Sequence, residues 1–214
     1  MARKNRRTGR SSSRKAKASG KHTRSSKMLT ANDKLVLHLN EALSMENATA
    51  TRLQSRIKKT KLQDVRQQLE HHLEETREQQ ERLRNLISSL GGKPTKDSAK
   101  LPTPAPPKNL FNAIRRSMTP AERELKDTKE DAVIENAEVV MYDMMTQLAQ
   151  LMNAGDAIPT LTQNLNEEKE MADWIRTNTP AMLTQLFPEI QSSVAQQKIM
   201  AKGTRDEPTS VAEA

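Results

Sequence analysis

Residues 32–59 read NDKLVLHLNEALSMENATATRLQSRIKK, and the interpretation of the whole chain starts from this stretch. Its apolar residues recur at helical spacing and form one stripe, made of Leu35, Leu39, Ala42, Leu53 and Ile57. At roughly 100° per residue, Glu46 falls near the centreline of that stripe. The pattern therefore predicts a helix that buries a carboxylate among its apolar side chains.

Two further segments place an acid in an apolar stripe, and another places a histidine there. Glu138 lies among Ile134, Met141, Met145 and Met152; Glu168 lies among Leu161, Ala172 and Ile175; His72 shares a face with Val65, Leu69, Leu83 and Ile87. An unpaired buried carboxylate is costly unless it is neutralised. Three such faces predict a shared counter-charge, and a pair of metal ions is the simplest one.

The composition favours an all-α protein. Aromatic residues make up 2% of the 214 residues and charged residues 29%, and no run alternates β-branched and polar residues as strands do. The chain has no cysteine, which excludes disulfides, thiolate metal sites and a cysteine nucleophile. No apolar run reaches the length of a membrane span, and residues 1–27 lack the apolar core of a secretory signal. We therefore expect a cytoplasmic protein that does not enter a membrane.

The basic charge of the chain belongs to its N-terminal tail. Residues 1–27 carry eleven Lys or Arg and no acid, so the net charge of +8 leaves the remainder at −3. This serine-rich, apolar-poor segment predicts a disordered tail. It has the charge to contact DNA backbones without base specificity, and a solubilising role is the alternative.

The remaining chain divides into two predicted helical hairpins. Residues 30–90 form the first, with Thr30 or Asn32 as the cap of a helix to about Lys59 and a second helix over 62–90 that ends at Gly91-Gly92. Residues 91–118 are a proline-rich crossover linker, in which 109–117 favour a short helix.

Residues 119–200 form the second hairpin and a C-terminal helical stretch. Thr119-Pro120-Ala121-Glu122 is a helix-start signal, and the third helix is predicted to run to about Met152. Asp156 is the predicted cap of a fourth helix to about Thr177. Pro180 opens a further helical stretch, which Pro188 is predicted to interrupt. Residues 201–214 are predicted to be disordered.

A weak internal repeat relates the two hairpins. A gapless shift of 92 residues places Glu46 on Glu138 and Glu75 on Glu167, and it also pairs Asp64 with Asp156, Leu73 with Leu165 and Leu83 with Ile175. Two similar hairpins joined by a long linker describe a four-helix bundle with a crossover connection.

The motifs of this bundle resemble the YciE/YciF family of ferritin-like bacterial stress proteins. The resemblance rests on MENA at 45–48, HLEETREQ at 72–79, IENAE at 134–138 and LNEEK at 165–169, and it spans roughly residues 34–186. It implies a ferritin-like four-helix bundle, a homodimer and a dinuclear iron site. The ligands that it carries over are Glu46, His72, Glu75, Glu135, Glu138, Glu167 and Glu168.

Two positions depart from the pattern that the resemblance implies. Relatives often have Glu-His-x-Glu in the third helix, whereas this chain has Asn136. Well-known ferritin-like sites also use Glu-x-x-His in two helices, whereas here His72 precedes Glu75 and the fourth helix has no histidine.

The first functional hypothesis is a ferritin-like di-metal protein that binds or oxidises Fe(II), or handles oxygen or peroxide, under stress. Iron and manganese both favour carboxylate ligands with an occasional imidazole. No catalytic residue separate from this metal site is predicted, and no P-loop or dinucleotide-binding loop occurs. Two alternatives stay open. One is a metal-free dimeric interaction module whose buried acids are protonated or bonded to arginine or Tyr142, and the other is a DNA-associating protein that acts through its tail.

Overall fold

The computed structural model of the chain describes residues 29–103 and 118–203, with side chains up to residue 193. Four long helices make up this part: α1 (Ala31–Lys59), α2 (Gln63–Ser89), α3 (Pro120–Leu151) and α4 (Ile158–Gly203). A short 3-10 turn, Gly155–Ala157, joins α3 to α4, and the described residues contain no strand. The prediction of an all-α four-helix bundle is confirmed.

Both predicted helix-start signals form capping boxes. The Thr30 hydroxyl accepts from the Asp33 amide at the start of α1, and the Asp33 carboxylate accepts from the Thr30 amide. Thr119 and Glu122 repeat this arrangement at the start of α3. Each box satisfies donors that a helix N-terminus leaves unpaired, which explains why these helices begin where they do.

The polypeptide around α4 departs from prediction at two places. Asp156 lies inside the 3-10 turn rather than at the cap of α4. Pro180 and Pro188 both lie within the continuous helix, so the predicted end near Thr177 and the interruption at Pro188 are wrong. Beyond Pro180, Met182 is buried with the core, and the Glu189 carboxylate accepts a 3.1 Å hydrogen bond from the Ala121 amide. These tertiary contacts favour the continuous helix over the local preference of proline.

Several predicted segments lie partly or wholly outside the described residues. These are the tail at 1–27, the short helix at 109–117 and most of 201–214, of which 201–203 continue α4. The described start of the linker follows the outer side of α1. There the Thr95 amide donates to Asn40, the Asn47 side chain donates to the Asp97 carbonyl, and the Ala99 amide donates to the Ser44 carbonyl.

The helices pack as two hairpins, α1 with α2 and α3 with α4, and α1 also lies against α3 while α2 lies against α4. Two apolar clusters fill the interior. One includes Leu39, Leu83 and Leu161, and the other includes Leu53, Leu69 and Ile175. The positions between these clusters along the helices hold the buried acids and His72. The fold therefore places a polar layer between two apolar layers.

No described helix combines the length and the apolar character that crossing a membrane requires.

The end of α2 gives a test of this packing. A Cβ on Gly92 would lie 2.5 Å from Cγ1 of Val36 and 3.0 Å from Cγ2 of Ile87, whereas a Cβ on Gly155 would meet nothing within 4 Å. We expect Gly92→Ala to lower the free energy of unfolding by about 1–3 kcal/mol, because stiff apolar side chains must move. Gly155→Ala is the matched control, with an expected change within about 0.5 kcal/mol. Chemical denaturation measures the free energy of unfolding of both variants. Equal stability of the two would contradict the close contact of Gly92 with Val36 and Ile87.

Candidate metal centre

The polar layer is built from all four helices. Glu46 comes from α1, His72 from α2, Glu135 and Glu138 from α3, and Glu168 from α4. Each of these five residues is at most 1% exposed. Three of the acids lie in the apolar stripes that predicted their burial, and Glu135 is buried although it lies towards the edge of its stripe.

His72 is the centre of the layer. Its Nε2 lies 2.9 Å from Oε2 of Glu135 and 3.6 Å from Oε2 of Glu168, and its Nδ1 lies 3.0 Å from Oε2 of Glu75. Donor atoms of His72, Glu135 and Glu168 all lie within 4.8 Å of one another. Burial alone would lower the pKa of His72, but the charge and hydrogen bond of Glu135, with Glu75 and Glu168, raise this pKa well above its usual value. Each ring nitrogen of His72 thus lies within hydrogen-bond distance of a carboxylate, an arrangement that favours the protonated imidazole.

Glu46 and Glu138 each use one carboxylate oxygen and leave the other without a partner. The Tyr142 hydroxyl donates to Oε1 of Glu46 over 2.5 Å, and the Thr49 hydroxyl donates to Oε1 of Glu138 over 2.8 Å. The second oxygens of both acids, and Oε2 of Glu168, are buried and accept no hydrogen bond. Burial raises the pKa of Glu46 to about 7 and those of Glu138 and Glu168 well above their usual value, and neighbouring acids add to the effect.

The two other predicted site residues lie at the rim. Glu75 keeps 18% of its side chain exposed, and its contact with His72 lowers the pKa of Glu75 despite partial burial. Glu167 is held by the guanidinium of Arg82 and by Gln79, whose amide also donates to Oε1 of Glu168 over 2.6 Å. The structure thus brings five of the predicted residues together in the interior and sets Glu75 and Glu167 beside them.

Asn164 is a buried residue of this region that sequence reasoning missed. It is fully buried, its Oδ1 accepts a 2.8 Å hydrogen bond from Nε of Arg82, and its Nδ2 has no hydrogen-bond partner. The signal that points to it is the internal repeat, because Asn164 lies 92 residues after His72.

A second buried charge cluster shows how this chain neutralises acids by protein groups alone. Asp131 accepts from Nε of Arg52 and from Nε of Arg56, both at 2.7 Å, and Arg56 also donates to Glu124. In contrast, no ion pair within the described part of the chain joins a lysine or arginine to Glu46, Glu135, Glu138 or Glu168. The polar layer therefore carries four buried acids against a single imidazole.

The raised pKa values predict how the stability of metal-free protein depends on pH. A carboxyl whose pKa is higher in the folded state stabilises the fold only while it is protonated, so this contribution is lost as the pH rises from about 4.5 through the folded value of about 7 for Glu46. The raised pKa of His72 contributes in the same direction, because its stabilisation is also lost as the pH rises.

We therefore expect chelator-treated protein to lose stability between about pH 5 and pH 8, by up to about 3 kcal/mol from Glu46. Glu46→Gln should flatten this dependence, and Glu74→Gln, a change at an exposed position of α2, should leave it intact. Thermal unfolding across pH measures the effect. Stability that rises over this window would contradict the buried, uncompensated state of Glu46.

Comparisons with known proteins agree with the fold and the sequence motifs. Residues 30–187 match the family model described as "Domain of unknown function (DUF892)". A protein of Xanthomonas campestris pv. campestris has a similar structure, with a TM-score of 0.63, 17% identity, and coverage of 75% of this chain and 98% of that one. YcfI from Rhodopseudomonas palustris aligns with a TM-score of 0.58 and 25% identity over 72% of this chain and 97% of its own.

The E. coli stress protein YciF is also similar, with a TM-score of 0.57 and 20% identity over 73% of this chain and 99% of YciF. The resemblance predicted from the motifs at 45–48 and 72–79 is thus confirmed at the level of the family. Because the family model covers most of the chain, from the cap of α1 to the middle of α4, this protein belongs to the DUF892 family.

Proposed function

We propose that the polar layer binds divalent iron or manganese and that the protein belongs to the metal-handling branch of ferritin-like bundles. One observation carries the proposal: the second oxygens of Glu46, Glu138 and Glu168 are buried without any hydrogen-bond partner. Elsewhere the same chain satisfies a buried acid with arginines, as at Asp131. A divalent cation is the charge that would compensate this layer.

The donor set fits these metals. Carboxylate oxygens with one imidazole suit iron and manganese, and the absence of cysteine removes softer ligands. Glu46, Glu135, Glu138, Glu168 and Nε2 of His72 are the groups that would hold metal. Glu75 would accept the Nδ1 proton of His72 and orient the ring, the usual part of a carboxylate behind a metal-bound histidine. Glu167 lies at the rim of the layer, where Arg82 holds its carboxylate.

Bound Fe(II) would be the substrate of an oxidation in which iron gives an electron to dioxygen or peroxide. The protein's own groups set the conditions for this reaction. The apolar clusters on either side restrict water, and Tyr142 holds its hydroxyl proton against Oε1 of Glu46. The description of the similar E. coli protein as a stress protein supports placing this activity in a stress response.

The predicted homodimer stays a prediction, supported by the exposed apolar side chains of Val140, Met144 and Leu151 on α3.

Glu168→Gln tests metal binding, because it keeps the size of a fully buried side chain and removes its charge. Chelator-stripped full-length protein is titrated anaerobically with Fe(II), and oxidation is then followed after oxygen is added. We expect the apparent affinity of Glu168→Gln to fall by about tenfold or more. Glu170→Gln, at an exposed position on the same helix, should match the unchanged protein.

Two results would overturn the proposal: no metal bound by the unchanged protein, or equal binding by Glu168→Gln. Either result would favour the metal-free interaction module, in which protonated acids and the Tyr142 hydrogen bond stabilise the layer. Metal bound without oxidation would keep the binding site and remove the oxidase activity.

A second candidate function, contact with DNA, rests on the eleven Lys or Arg among residues 1–27. We propose that this tail binds phosphate backbones without base specificity. Retention of the intact chain on duplex DNA should exceed that of a chain starting at Met28 at low salt, and the difference should fall as salt increases. Equal retention of the two chains would contradict the proposal that the tail binds DNA.

A further inference from the structure

We propose that the polar layer holds one metal ion, in the half built around His72, and not the pair that the resemblance implies. This inference rests on the proposed metal-binding function and refines it. It follows from the internal repeat, which assigns each site residue a counterpart in the other hairpin.

The structure supports the register of the repeat. The shift of 92 residues relates α1 to α3 and α2 to α4, and several residues paired in this way have matching burial. Glu46 and Glu138 are both fully buried, Leu69 and Leu161 are at most 1% exposed, and Leu73 and Leu165 are 7% and 6% exposed. A dinuclear centre arranged by the repeat would place similar ligands in both halves.

Three of the site residues have no ligand of the same kind in the other half. The three groups whose donor atoms converge are His72, Glu135 and Glu168. Their counterparts under the same shift are Asn164, Leu43 and Thr76, which are also buried. Asn164 has a carboxamide in place of the imidazole, and Leu43 and Thr76 have an alkyl group and a hydroxyl in place of the two carboxylates. The second half therefore offers no charged ligand at these positions.

Arg82 further closes the second half to a cation. Its Nε donates a 2.8 Å hydrogen bond to Oδ1 of Asn164, and its Nη2 donates to the Glu167 carboxylate. The other polar atom of the Asn164 amide is Nδ2, a donor that cannot ligate a cation. The counterpart of Arg82 in the other hairpin is Trp174, an uncharged residue. The guanidinium therefore places a positive charge beside Asn164, which disfavours a second cation there.

Glu46 and Glu138 lie between the two halves, and each has one oxygen already bonded to a hydroxyl. Their second oxygens are buried without a hydrogen-bond partner, and neither acid belongs to the group of donor atoms that converge at His72. The converging donors of the layer are thus one imidazole and two carboxylates, a donor set that suits one iron or manganese ion.

The number of bound ions is measured on the full-length, chelator-stripped chain with Mn(II). Equilibrium dialysis with atomic emission gives the ratio of metal to chain, and electron paramagnetic resonance distinguishes isolated ions from exchange-coupled pairs. We expect one tightly bound Mn(II) per chain with the resolved hyperfine spectrum of an isolated ion. Two ions per chain or an exchange-coupled spectrum would overturn the inference and leave the metal-binding function standing. No bound ion would overturn both.

Two single substitutions check which half binds. His72→Asn makes the two counterpart positions identical, and it should weaken Mn(II) binding by about tenfold or more. Asn164→Ala should keep one ion with an affinity within about twofold, because this residue contributes no ligand. Loss of an ion in Asn164→Ala with unchanged helicity would overturn the inference. If His72→Asn does not fold, the metal ratio and spectrum of the unchanged protein still decide.

Discussion

The burial of four carboxylates around His72 is the constraint on which the rest of the structure depends. Each long helix contributes at least one group to this layer, so every helix must present a specific turn to the centre. The apolar clusters on either side supply the packing energy that brings these charges out of water. Burial raises the pKa values of Glu46, Glu138 and Glu168, and this links the stability of the fold to whatever charge occupies the layer.

The chain treats its buried acids in two different ways. Around Asp131, arginines from α1 supply geometrically matched donors, and the cluster is a self-contained cross-brace between α1 and α3. Around His72, two hydroxyls, the Gln79 amide and a single imidazole satisfy part of the acceptors and leave three carboxylate oxygens without a hydrogen-bond partner. Buried oxygens without hydrogen-bond partners lower the stability of the fold. Such unpaired polar groups are typical of binding sites, where stability is sacrificed for function.

Much of the architecture could be predicted from the sequence because local signals agree with the fold. Thr30 and Thr119 cap their helices, and the stripes around Glu46, Glu138 and Glu168 report which faces are buried. The prolines of α4 gave the wrong boundary, because Met182 and Glu189 make tertiary contacts that a local signal does not contain. Glu135 lies towards the edge of its stripe, and its burial depends on His72 from another helix.

The sequence already shows that the two hairpins carry different site residues, but the structure is needed to interpret this difference. The repeat pairs His72 with Asn164, and only the structure reveals that the Asn164 oxygen accepts a hydrogen bond from Arg82. The most direct test of the central claim is a crystal soaked in Mn(II), with anomalous scattering recorded at an energy sensitive to manganese. The account predicts one anomalous peak among His72, Glu135 and Glu168. A structure without a peak in the polar layer, or with manganese only on surface acids, would contradict it.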